Sequence, residues 1–340
     1  IVFGDWSSDV CSSDLTGPGE LRFTHAHTYS GTTLVQEGTL TVESNGRPGS
    51  SAAGTTVEAN GTLFLKGASV TNESLVLQGG GNGVALAYHN TNVWNGSVEL
   101  HGAVTVKAEP VARLSLFGAI SGPGGLNHTG DGTLILAGNT DNTFAGPLHC
   151  DAGNLILNKF STVTAVPGDL VIGLPTNGAP AATVEVQSPY QFKSSGFPNQ
   201  RVTVNPTGKF LSGTYDQTIS NLDLRDGWVD AIGGNLVLIR HLTVEAAGTG
   251  NSYFFGKMTL LYGNDGDHQF EVRSNAVCWM FADIREDPFT QHLTKTGTGT
   301  LLLSGSNTFS GSFTINSGTV YAGGAQPFGT MAGPTIVNQG

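Results

Sequence analysis

Three stretches of this chain repeat one another, and the repeat limits what it can fold into. Residues Thr16 to Val42 align without a gap on Thr296 to Ala322, and Leu126 to Leu157 follows the same pattern with a two-residue insertion after Gly138. Six columns stay mostly apolar across the copies: Leu21/Leu134/Leu301, Phe23/Leu136/Leu303, Thr33/Leu148/Phe313, Val35/Cys150/Ile315, Leu40/Leu155/Val320 and Val42/Leu157/Ala322. Residues between them vary freely, with Arg22, Ile135 and Leu302 at one position and Leu34, His149 and Thr314 at another. Side chains of a strand alternate faces with period two, so each copy reads as short strands with one face inward. Glycines punctuate the joints at Gly31 and Gly38, Gly146 and Gly153, and Gly311 and Gly318, where a left-handed backbone costs glycine least.

Three short strands per turn of about 22 residues describe one coil of a parallel β-helix, and a lone coil cannot bury its inner face. Stacking buries a continuous apolar column and pairs each coil's backbone with its neighbours. A series of antiparallel sandwiches is the rival all-β reading, but it does not require the same glycine joints to recur. Weaker strand signals fill the intervals. They include 62–66, 74–77, 84–87, 97–100, 113–116, 169–172, 183–186, 201–204, 235–238, 241–244, 258–261 and 270–272. No window combines a 3.6-residue period with helix caps, so almost no helix is expected. The expected fold is all-β, a parallel β-helix of about a dozen coils. Residues 16–340 form a single β-helix segment with its clearest repeats at 16–42, 124–157 and 293–323, and the stretch from Pro175 to Pro206 is the expected break in regularity.

Composition narrows the function classes. Glycine supplies 49 of the 340 residues and charged residues only 12%, with a net charge of −11. The basic residues are scattered, so no nucleic-acid partner is expected. No apolar run reaches the roughly 20 residues of a membrane helix, so this segment is not expected to insert in a membrane. Residues Asp5 to Leu15 resemble the translation of a sequencing-library adapter. Residues 1–15 are therefore set aside as an artefact. The chain is expected to be a fragment of a metagenomic reading frame whose signal peptide lies beyond it.

The pattern Gly-Gly-Leu, then Gly-x-Gly-Thr-Leu-x-Leu, then Asn-Thr-Phe-x-Gly occurs from Gly124 to Leu157, and all but its first element recurs from Leu293 to Gly323. It resembles the autotransporter-associated β-strand repeat. That resemblance implies a right-handed parallel β-helix in the exported, extracellular or cell-surface part of a bacterial protein, with a C-terminal barrel or other anchor in the full protein. It implies no shared catalytic residues and no cofactor. Surface glycans or other cells are the partners such a segment would meet.

Few residues suggest chemistry of their own. Asp265 and Asp267, within Asn264 to His268, offer carboxylates to a calcium ion, but the full loop spacing is absent and a solvated turn explains them. Asp223, Asp226 and Asp230 surround Trp228, a pattern suited to carbohydrate. Paired carboxylates act as acid and base in polysaccharide cleavage, and an aromatic ring stacks on sugars. A turn at Asp226-Gly227 with outward charges explains these residues equally. His25, His27, His149, His241 and His292 are scattered and read as surface residues, and no Cys/His spacing fits zinc. Cys150 falls in an inward column and reads as a buried thiol. A bridge to Cys278, in the apolar run Val277 to Phe281, is not expected. No Gly-x-Ser-x-Gly elbow is present. The expected function is a non-enzymatic structural or adhesive passenger segment; the alternative is a β-helix that binds or cleaves polysaccharide.

Overall fold

A computed structural model describes residues 2–3, 12–44, 46–79, 83–193, 199–261 and 266–338. Apart from one antiparallel pairing of the short strand Val2–Phe3, the strand pairings among the described residues run parallel. The described residues contain no helix and form a parallel β-solenoid of about fourteen turns. They divide into two compact units, Ile1–Gly168 and Asp169–Gly340.

In the first unit each coil offers up to three strands. Ala103–Ala108 lies between Leu86–His89 and Gly125–Gly130, and Arg113–Leu116 lies between Thr91–Trp94 and Thr133–Gly138. The third face carries Leu75–Leu77, Val98–Leu100 and Ile120–Ser121. Beyond Ile120 this face thins to backbone bonds: the Thr143 amide donates to Ile120 O at 2.8 Å and the Ala145 amide to Gly122 O at 3.0 Å. The strand Ser13–Phe23 begins inside the segment set aside from the sequence. Leu15 is buried there and in register with Val35, because it continues the inward column.

In the second unit one stack runs through Ala182–Val186, Gly208–Leu211, the start of Trp228–Glu245, Asn251–Leu260, Val277–Glu286, Thr300–Leu303 and Thr319–Ala322. Its inner column reads Val184, Phe210, Val229, Phe254, Met280 and Leu303, each fully buried. Burying one such side chain contributes about 1.5–3 kcal/mol, so the column is what holds the rungs in register. The Pro175–Pro206 stretch contains two strands, Ala182–Val186 and Arg201–Val204. Leu170 faces Val202 across 32 residues, so the coil is enlarged rather than interrupted.

The six repeat columns point inward as expected, with Leu134, Leu136, Leu148, Cys150, Leu155, Leu157, Leu301, Leu303 and Phe313 all buried. Val320 is only half-buried and Ala322 is exposed, because no described strand pairs with Thr319–Ala322 on its other side; Ile315, paired with Lys295 and Val337, is also half-buried. The glycine joints divide into two kinds. Gly153 and Gly318 are left-handed, at φ +70° and +77°. Gly146 and Gly311 are not; a Cβ on either would press into the backbone of the preceding rung. Several strands were not legible as such, among them Thr91–Trp94, Ala103–Ala108, Gly208–Leu211, Gln217–Arg225 and Val277–Glu286. Val277–Glu286 opens with apolar residues on both faces, which erases the period-two signal. The predicted strands at 235–238 and 241–244 belong to one long strand, Trp228–Glu245, whose corners are register shifts rather than breaks.

Candidate functional site

Polar side chains inside the solenoid serve the backbone. Asn142 accepts from the Ile120 amide at 2.9 Å and donates to Ala165 O at 2.9 Å; Asn307 accepts from Ile284 at 2.8 Å and donates to Pro327 O at 2.7 Å. This is the purpose of the Asn-Thr-Phe triplet: the asparagine ties three successive rungs, and Phe144 and Phe309 fill the core beside it. Lys295 is also buried, its Nζ donating to Thr296 O, Gly297 O and Ser317 O at 2.7–3.1 Å. Burial pushes its pKa down to about 8. At the equivalent repeat position His128 is buried, its ring set among backbone groups of Val106, Gly132 and Asn154. Desolvation lowers its pKa to about 4, keeping the ring neutral. Glu73, buried with Thr55 donating to it at 3.0 Å, is pushed up to about 7 by the same cause. The thiols of Cys150 and Cys278 are buried and form no disulfide; burial raises the Cys278 thiol to about 12.

The sequence candidates disperse. Asp265 lies outside the described residues. Asp267 sits exposed on the strand Gly266–Val272, not in a turn, and accepts from Thr294 Oγ1 at 3.0 Å. Its neighbour His268 points inward and contacts Gln291 Oε1 at 3.0 Å. No group of three metal-ligating side chains occurs among the described residues. Asp223 is buried against Arg201, in a strand whose partners are Arg201–Val204 and the later half of Trp228–Glu245. Asp226 takes up a left-handed backbone (φ +53°) and accepts from Ala247 N, Thr249 Oγ1 and Gly250 N at 3.0–3.3 Å, pinning a turn. Asp230 accepts from the Ile232 amide at 2.9 Å. The three carboxylates therefore have three separate sets of partners. Trp228 and Asp230 do share an outward face, as strand alternation requires.

What the sequence reading missed lies beside Trp228. Register places Lys209, Trp228, Tyr253, Trp279 and Leu302 in one outward column, and Asp230, Phe255 and Phe281 in the next. The five rings form a lattice. Trp228 stacks on Phe255 with centroids 4.6 Å apart, Phe255 on Phe281 at 5.0 Å, and Tyr253 on Trp279 at 6.3 Å. Side by side, Tyr253 and Phe255 lie 6.4 Å apart and Trp279 and Phe281 6.1 Å apart, with interplanar angles of 11° and 17°. Lys209 Nζ stands 5.8 Å from the Trp228 ring centroid, and Trp279 Nε1 donates to Asn251 Oδ1 at 2.9 Å. Trp228 stays 36% exposed and Phe281 41%.

With the coils and outer faces described, the class of protein follows. Residues 15–42, 126–158 and 293–322 match the passenger-associated-transport-repeat family. In these three segments the chain is similar to autotransporter-associated β-strand repeat proteins, and the repeats are built into a parallel β-solenoid. One curated relative is the adhesin BmaC autotransporter of Brucella suis biovar 1 (strain 1330), 28% identical over 404 aligned positions that take in 95% of this chain. The chain spans 12% of that relative's length. No solved structure matches it.

Proposed function

We propose that this chain is an adhesive, non-enzymatic segment of an exported passenger, held at or beyond the cell surface. The observation that carries the reading is the alignment of 95% of the chain with a protein described as an adhesin autotransporter. The physics of the fold agrees with it. Repeated coils bury one column and present long outward faces, which suits contact with a partner surface more than enclosure of a substrate. The separate engagements of Asp223, Asp226 and Asp230 also favour binding over cleavage, since paired acid–base work needs two carboxylates converging on one bond.

The test is adherence. Beads coated with the 340-residue chain should bind cultured epithelial cells well above beads coated with a heat-unfolded sample, and soluble folded chain should compete. Equal adherence of both bead types would overturn the adhesive reading. Release of reducing ends or unsaturated products from a polysaccharide panel, lost on replacing Asp223 or Asp230 by Asn, would overturn the non-enzymatic part.

A further inference from the structure

Outward positions of a solenoid strand face water, and a lattice of five aromatic rings there is an unusual use of them. Isolated apolar residues on a surface need no explanation, but contiguous patches mark interaction sites. The composition of the rim says what kind. Lys209 and Asp230 border the rings in their own columns, and one position further along the strands Lys257 faces Asp283. With Arg285, which pairs with Asp283 at 3.3 Å, three cations and two anions leave the rim with little net charge. Such a border has no attraction for a sulfated or uronic polymer, a nucleic acid or an anionic membrane, each of which needs concentrated basic charge. It does suit a ligand that is uncharged, rich in hydroxyls and apolar on its ring faces.

Resting on the adhesive reading, we propose that Trp228, Tyr253, Phe255, Trp279 and Phe281 form a binding platform for neutral glycans. The CH-lined face of a pyranose packs on the exposed aromatic surface, while its hydroxyls reach Asp230, Asp283, Lys209 and Lys257. The centroid spacings of 5.0 and 6.3 Å along the columns are comparable to the length of one sugar unit, so an extended chain can follow successive rungs. Phe281 is the most exposed of the five rings. The small residue Ser304, whose amide donates to Met280 O at 3.0 Å, leaves it open on the side of the next rung.

The experiment is native affinity electrophoresis of the whole 340-residue chain in gels containing a β-glucan, an α-mannan or a galactan, with heparin and dextran sulfate as charged comparisons. At least one neutral polymer should retard the chain. Phe281→Ala should weaken that retardation about tenfold, as expected for losing one stacking surface. The Trp228→Ala, Trp279→Ala, Phe281→Ala triple variant should abolish it. Phe160→Ala, an exposed ring of the first unit, should leave it unchanged. Far-UV circular dichroism and the melting transition show whether each variant is folded, and the single Phe281 variant decides the matter where the triple one is not. Retardation by none of the neutral polymers, by the charged ones alone, or unchanged in Phe281→Ala would overturn the platform. Adherence of coated beads separates the two readings. A chain that adheres to cells but is retarded by none of the neutral polymers overturns the platform and leaves the adhesive reading intact. Glycan retardation by a chain that does not adhere to cells does the reverse.

Discussion

The rungs at 126–158 and those at 228–281 share an inner plan and differ on the outside. Both bury alternate side chains in stacked columns: Leu134, Leu136, Leu155 and Leu157 in one, Val229, Phe254, Cys278 and Met280 in the other. Outside, the first region carries an unremarkable mixture of Asn127, Ile135, His149 and Asn154. The second carries five stacked aromatic rings. The inner columns are under the same constraint in both because each rung must match its neighbours above and below. The outer columns have no such constraint, so a chemically distinct outer face is the better guide to function. The repeat is strongest where the surface is least specialised.

The comparison can be broken at its centre by one substitution made inside and outside. Phe309→Ala removes a fully buried ring from the repeat and should destabilise the second unit by about 3–5 kcal/mol. Phe281→Ala removes an outward ring and should cost only about 1 kcal/mol, the value of a lost aromatic stack. Thermal or denaturant unfolding followed by circular dichroism measures both, and similar losses would mean that the platform is a structural ladder.

The equivalent repeat positions His128 and Lys295 should differ in pH response. The folded pKa of His128 is depressed to about 4, so its neutral form is favoured in the folded state. Stability is full above the unfolded value near 6.5 and falls as the pH drops towards 4, by roughly 3 kcal/mol for this group. His128→Leu should flatten that part of the profile. Lys295, with a folded pKa of about 8, remains protonated throughout pH 4–6.5, so Lys295→Met should shift the stability level without changing the slope there. Urea titrations at half-unit steps of pH distinguish the two. A profile that His128→Leu leaves unchanged would place the acid sensitivity elsewhere.

Smaller effects sharpen the parallel between repeats. Asn142→Ala strands the Ile120 amide and the Ala165 carbonyl, and Asn307→Ala strands Ile284 and Pro327. Each should cost about 1–3 kcal/mol, the penalty for unpaired buried backbone groups. Hydrogen exchange should show the loss confined to the three rungs each asparagine ties. A smaller change is expected from Phe160→Ala, which is 73% exposed and should shift stability by less than about 0.5 kcal/mol.

The scaffold was legible because it repeats. Period-two columns such as Leu134/Leu301 and the glycine joints name the strands and their inward faces. The role of Asn142 and Asn307 was not legible, since an asparagine beside a glycine-rich turn reads as a turn former unless the rungs it bonds are known. The segment Val277 to Phe281 stood out only as an apolar run. Its inward Cys278 and Met280 and its outward Trp279 and Phe281 look alike to a hydropathy pattern. Strand alternation puts Trp228 and Asp230 on one face, whereas Asp223 and Asp226, close to them in sequence, bond to other rungs.

The sequence by itself determined a stack of short strands with one buried face, because side-chain alternation and glycine joints act locally and recur. Only the tertiary structure decided which residues from different coils become neighbours. Trp228, Tyr253 and Trp279 stand 25 and 26 residues apart along the chain and adjoin only because parallel pairing sets Trp228 against Tyr253 and Tyr253 against Trp279. That register depends on the loop lengths between rungs and on the packing of the buried columns, neither of which is visible at the outward positions themselves.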